Sequence, residues 1–358
     1  MNSEPNGYVL AGDIGGTKTA LAILPAGGGA PLKEARLASG DYASLEAAIA
    51  AFLGGTRSDA LPELTARAGV GAAAFGVAGP VTDDEVCVTN LPWRIQRDRL
   101  AQALGLPAGR VALLNDLAAT ALGVLELPPS ALVALTPAAR EARNGPGAPG
   151  ARAVIAAGTG LGEAVLHRVG ERYSVLPTEA GHAGAAPADA EDDALIAWLR
   201  CELGDAESAH VSVEHILSGP GLHRLYRFHC ARAPEIESAA VTRALDEADP
   251  AAVIGRHATA GDDVLCVRAG RHFVRFYAAE AGNLALRSLA TGGVYIAGGM
   301  GIALRTLLLE PVFATAFAGR GRFSGLLATV PVWLVEQPDS PLIGAGLAAR
   351  RSLTDAPA

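Results

Sequence analysis

Residues able to do chemistry fall in four short stretches of this 358-residue chain. Asp13 closes the apolar run Tyr8 to Asp13, and Gly15-Gly16-Thr17-Lys18-Thr19 follows before a second apolar run, Ala20 to Leu24. The plan recurs at Ala153 to Ala157, Gly158-Thr159-Gly160-Leu161-Gly162, and Ala164 to His167. Each reads as strand, tight turn, strand. Glycines let backbone N–H groups approach a phosphate closely, and Thr17 and Thr159 add hydroxyl donors. A dinucleotide fingerprint needs G-x-G-x-x-G opening a helix, whereas Gly158, Gly160 and Gly162 are spaced G-x-G-x-G and lead into a strand. A Walker loop needs Gly directly before Lys-Ser/Thr, and here Thr17 holds that place. Further on, Asn115-Asp116 joins the short strand Val111 to Leu114 to a helical stretch, Leu117 to Leu125. A carboxylate at such a junction can take a proton from an attacking hydroxyl, and an Asn-Asp pair can equally cap a helix. Glu179 and His182 lie three apart, as in half of a Glu-x-x-His di-metal site, but no second copy with suitable partners is evident.

The elements that position these residues read as α/β. Leu45, Ile49, Phe52 and Leu53 are at helical spacing behind Ser44, with Gly54 after the end. Val70 to Val77 is a buried strand. Beyond the second hairpin the pattern turns helical over Ala190 to Leu203, Glu214 to Phe228, Ser238 to Ala248 and Val264 to Leu289. Strands follow at Gly293 to Ala297, closed by Gly298-Gly299, and at Val330 to Val335, before a last helix, Leu342 to Arg351. Ala138 to Gly150 is a surface loop by composition. The two hairpins suggest two related halves, and the length fits two domains. The expected division is a small α/β domain at 1–115, completed by a helix at about 341–358, and a larger α+β domain at 116–340.

Charge and cysteines exclude several classes. Lys plus Arg number 29 against 37 Asp plus Glu, a net −8 with no basic block, so the footprint of a nucleic-acid or anionic-membrane binder is missing. The four cysteines are far apart, with no C-x-x-C pair, and read as reduced thiols. Met1 to Gly7 lacks the basic start and apolar run of a secretory signal, and the expected location is cytoplasmic.

Gly12-Asp13-Ile14-Gly15-Gly16-Thr17-Lys18-Thr19 resembles the first phosphate motif of bacterial glucokinases, within the sugar-kinase, heat-shock-chaperone and actin superfamily. Further segments match in order: Thr89 to Trp93, Leu114 to Asp116, Ala157 to Gly162, Leu176 to His182, His210 to Glu214, Leu217 to Leu222, and Ile296 to Gly299. The resemblance implies a two-domain actin-like (ribonuclease H-like) fold with an interdomain cleft, binding ATP and Mg²⁺ and phosphorylating glucose at its 6-hydroxyl. It implies that Asp13 faces the nucleotide phosphates and holds Mg²⁺ through water. Gly15, Gly16, Thr17, Lys18, Gly158, Thr159 and Gly160 would cradle phosphates, and Gly298 and Gly299 would lie against adenine. Asp116 would be the general base. Asn90, Asn115, Asp116, Glu179, His182 and Glu214 would bind the sugar, and the enzyme would be a homodimer.

Departures from the family pattern are the long segments 138–150 and 232–263, and Glu163, a carboxylate beside the second phosphate turn that would weaken ATP binding if it pointed inward. The cysteine-rich zinc motif of the related repressor and kinase family is absent, as is a DNA-binding helix pair before residue 8. A kinase for another hexose or an amino sugar, and a non-catalytic sugar sensor, are the alternative readings.

Overall fold

The computed structural model describes residues 7–142, 149–204 and 210–354. The chain divides into two compact units, Met1–Leu127 with Asp339–Ala358, and Pro128–Pro338.

The first unit is built on one five-stranded sheet. Its strands are β1 (Tyr8–Ile14), β2 (Lys18–Pro25), β3 (Lys33–Ala38), β4 (Val70–Val77) and, after a small ribbon of β5 (Glu85–Cys87) and β6 (Arg94–Gln96), β7 (Val111–Asn115). The order is β3-β2-β1-β4-β7: β1, β2 and β3 run antiparallel as consecutive hairpins, and β4 and β7 add in parallel. β4 is buried along its whole length, which explains its unbroken apolar sequence. The helix Leu45–Leu53 begins at Ser44, whose hydroxyl accepts from the Ala47 N–H, and stops at Gly54 in the left-handed region.

The helix Asp116–Gly123, expected to open the larger domain, belongs to this first unit. Small residues explain its place. A Cβ on Gly344 of the closing helix Ser340–Thr354 would lie 1.8 Å from the Ala119 carbonyl oxygen, and one on Gly123 would lie 2.0 Å from that of Ser340. The two helices therefore pack backbone to backbone, carrying Asp116 with them.

The second unit repeats the plan in β8 (Leu132–Ala134), β9 (Arg152–Ala157), β10 (Leu161–Val169), β11 (Arg172–Thr178), β12 (Val294–Ala297) and β13 (Val332–Val335), ordered β11-β10-β9-β12-β13-β8. β9, β10 and β11 are again antiparallel hairpins, and β12 and β13 add in parallel. Helices Gly219–Arg232, Pro250–Ala260 and the 25-residue Val264–Ser288 supply a large share of its core.

Two sequence expectations change here. Part of the expected loop 138–150 is a short helix, Pro137–Glu141, started by the Thr136 hydroxyl; residues 143–148 lie outside the described residues. Glu214 does not open a helix. The chain from Val213 is pinned by backbone bonds from Val213 to Ala183 and from Glu214 to Gly181, and the helix starts only after Ser218, whose hydroxyl caps Gly221.

Candidate functional site

In the first unit the residues gather at the carboxyl ends of β1 and β7. The first Gly-rich turn is closed by a bond from the Gly15 N–H to the Lys18 carbonyl at 2.9 Å. Ser39, which sequence reasoning missed, braces it: its hydroxyl donates to the Gly15 carbonyl at 2.8 Å, its N–H donates to the Thr17 carbonyl at 3.0 Å, and Thr19 bonds its hydroxyl. Lys18 and Thr17 are exposed at the tip. A Cβ on Gly16 would meet the Thr89 carbonyl oxygen at 2.5 Å and the Asn90 Cβ at 3.3 Å, so the turn rests on the segment holding Asn90. Asn90 itself has φ 63°, a left-handed conformation that asparagine tolerates. Trp93 is core, its indole N–H bonded to the Tyr42 carbonyl.

Asn115 caps the helix at Asp116. Its side-chain oxygen accepts from Leu117 N–H at 2.8 Å and Ala118 N–H at 3.1 Å, and its amide points to the Gly79 carbonyl at 3.4 Å. The cap uses the oxygen, and the Gly79 carbonyl one N–H, leaving the second amide N–H to offer a ligand. Asp116 takes the Leu117 N–H on one carboxylate oxygen, at 2.8 Å, at the positive end of that helix. Burial, then the nearby Asp116 and Asp339 carboxylates, pushes the Asp13 carboxyl up from 3.8 to about 6. Asp339 is a member of this carboxylate group that no local spacing revealed, since it lies more than 200 residues from both others; Arg36 also bonds it.

In the second unit Leu161 is the junction. The second turn closes from Gly158 N–H to the Gly160 carbonyl at 2.8 Å, and the Gly158 carbonyl accepts the first N–H of the helix Gly219–Arg232, also at 2.8 Å. This aims the positive end of a 14-residue helix at the turn. The Leu161 N–H donates to Glu214 Oε2 at 2.7 Å. A Cβ on Gly160 would meet that same oxygen at 2.6 Å, and one on Gly181 would lie 2.1 Å from the Leu161 carbonyl oxygen. Hence the phosphate-type turn, the Glu179–His182 turn and Glu214 form one packed assembly in which two glycines are sterically required. Glu179 and His182 are exposed, and His182 Nδ1 stands 3.9 Å from Glu214 Oε1.

Beside the turn lies a pocket of about 490 Å³ lined by Gly158, Thr159, Gly219, His223, Asp249 and Gly299 among others. His223 and Asp249 were not found from sequence. Gly298, at φ 84°, comes so close to β9 that a Cβ would sit 2.4 Å from the Ala157 carbonyl oxygen. Glu163 points away from this pocket's lining into the core. It is fully buried, and burial, then the Glu280 charge, raise its carboxyl to about 8, so it is neutral at neutral pH.

Two sheets of matching strand order, each with a Gly-Thr turn between its first two strands, define the actin-like two-domain kinase fold, also found in a glucokinase from an Antarctic psychrotroph (TM-score 0.78, 29% identity, 96% of this chain and 99% of that one). A glucokinase of Balamuthia mandrillaris, solved with glucose, shares the fold (TM-score 0.74, 23% identity, 96% and 93% covered). A family model described as Glucokinase matches residues 10–352. Curated glucokinases from Nostoc sp. strain PCC 7120 and Yersinia pestis strain Pestoides F are 37% and 35% identical, covering 96% and 97% of this chain and 99% and 97% of theirs. The chain belongs to the glucokinase family and is a hexose kinase. No helix among the described residues is long and apolar enough to cross a membrane.

Proposed function

We propose that the protein transfers the γ-phosphoryl group of ATP to the 6-hydroxyl of glucose. The observation that carries this reading is the Leu161 junction, where one backbone unit ties a phosphate-type turn to a carboxylate and a Glu-His turn of the kind a polyhydroxylated ligand needs. Every sugar hydroxyl taken from water must regain a partner, and Glu179, His182 and Glu214 offer acceptors and a donor in one place. On the family likeness, Asn90, the Asn115 amide and Asp116 also serve the sugar. The Asp116 carboxylate takes the 6-hydroxyl proton as that oxygen bonds to the γ-phosphorus, while the bond to the bridging oxygen breaks and ADP leaves. The helix cap holds Asp116 still, so little reorganisation accompanies the proton transfer.

Gly15 to Lys18 and Gly158 to Gly160 receive the phosphates, and the pocket containing Thr159 and Gly299 receives the nucleoside, with Gly298 preceding Gly299 at its edge on the family likeness. Asp13 suits Mg²⁺: a hard cation favours carboxylate oxygens, and the negative charge of Asp116 and Asp339 that raises the Asp13 carboxyl is what a cation relieves. When bound, Mg²⁺ neutralises phosphate charge. The reading extends, on the family likeness, to a cytoplasmic homodimer serving glycolysis.

Coupled-assay turnover with Mg²⁺-ATP across a hexose panel tests it. Turnover strongest on glucose is expected. Preference for another sugar would make it a kinase for that sugar, and glucose-dependent thermal stabilisation without turnover on any sugar would make it a sensor.

A further inference from the structure

A second pocket of about 500 Å³ opens in the larger unit, sharing no lining residue with the nucleotide pocket. Four arginines (Arg232, Arg268, Arg271, Arg275) and two buried histidines (His229, His272) line it against one carboxylate, Glu191. In a chain of net charge −8, such a gathering of cations costs repulsion unless something answers it.

Part of the charge is already met. Arg271 pairs side-on with Glu310 through two 3.0 Å bonds, and Arg275 bonds Asp189, Asp192 and Glu191. Arg232 lies over the Phe228 ring, and neither it nor Arg268 has a carboxylate partner among the described residues. Behind them Asp192 bonds His272 Nε2 at 2.8 Å, and His272 Nδ1 faces His229 Nε2 at 3.3 Å. Burial, then His272 and the arginines 268, 232 and 275, hold His229 down at about 4. Arg268, Arg232 and Arg275 all act on this histidine in the same direction.

We propose that this pocket binds a small phosphate-bearing anion, gripped by Arg232 and Arg268 with Arg271 and Arg275 behind. Guanidinium forks match phosphate oxygens in geometry as well as in charge, and an open pocket of this volume admits a group the size of pyrophosphate or a sugar phosphate. Glu191, His229 and His272 also bring ligand atoms within 4.8 Å of one another, as a divalent cation would want. The surrounding arginines oppose that occupant.

Calorimetric titration of the full chain with inorganic pyrophosphate, at about 50 mM salt and without sugar or nucleotide, needs no turnover and so stands apart from the kinase reading. Three forms are compared: wild type, the double variant Arg232→Gln/Arg268→Gln, and Arg57→Gln, which removes an exposed arginine of the first unit that does not line the pocket. Pyrophosphate can also dock on the Gly-rich turns, so the pocket's share is the component that the double variant loses. The expected result is a binding component weakened about tenfold or more in the double variant and unchanged in Arg57→Gln, with all three melting alike. Identical isotherms in the three forms would overturn the proposal. So would stabilisation by Zn²⁺ that disappears in His229→Asn while pyrophosphate binding matches in all forms, since the pocket would then be a cation site.

Discussion

Replacing Glu163 by Gln should stabilise the protein, and by an amount that depends on pH. Glu163 is fully buried on β10, neither carboxyl oxygen has a hydrogen-bond partner among the described residues, and the nearby Glu280 is already satisfied by Arg287 and Asn283. Its carboxyl titrates at about 8 in the fold against an ordinary 4.5. Between those values the unfolded chain releases this proton and the folded protein keeps it, so stability falls as pH rises through the window. At pH 7 the gap from 4.5 is two and a half units, and at about 1.4 kcal/mol per unit the loss is about 3 kcal/mol. Gln carries no such proton. For a unit of this size that difference is about 6–12 °C in Tm. Thermal melts of both proteins from pH 4.5 to 8.5 should show the gap widening from near zero and levelling above about 8. A gap independent of pH would refute the reasoning, because it would mean that Glu163 ionises normally inside the fold.

Gly344→Ala should force the closing helix and the helix Asp116–Gly123 apart, costing about 2 kcal/mol of stability in thermal melts and lowering kcat more than it changes the glucose KM, because Asp116 opens the second of these helices. Glu179→Gln should raise the KM for glucose far more than that for ATP in steady-state assays; the reverse pattern would move Glu179 away from the sugar. If Asp13 must be ionised for activity, kcat/KM should fall as pH drops below about 6, and Asp339→Asn, by removing a neighbouring negative charge, should shift that acid limb to lower pH.

What could be read from the sequence was what local spacing encodes. Both Gly-rich turns sit between antiparallel strands as the apolar runs required, and Ser44 and Asn115 cap the helices that follow them. Contacts set by tertiary structure were hidden. Val213, Ile216 and Leu217 have helix-like spacing, yet backbone bonds to the Glu179–His182 turn hold Val213 and Glu214 in a turn, and this is what brings the Glu214 carboxylate to the Leu161 N–H. Ser39 sits on a neighbouring strand end and Asp339 at the far end of the chain, so no motif links them to the residues they serve. The helix Asp116–Gly123 joined the first unit because of glycine contacts with a helix more than 200 residues later. Glu163 looked like a threat to the phosphate turn because the alternation along β10 does not reveal which face is dry.

The most direct test of the central claim is Asp116→Asn, assayed for kcat with Mg²⁺-ATP and for glucose affinity by calorimetry. The variant keeps a hydrogen-bonding side chain at the helix start but loses the base. kcat should fall by about 10²–10⁴ while glucose binds within a few-fold of wild type. Near-normal kcat would contradict that claim.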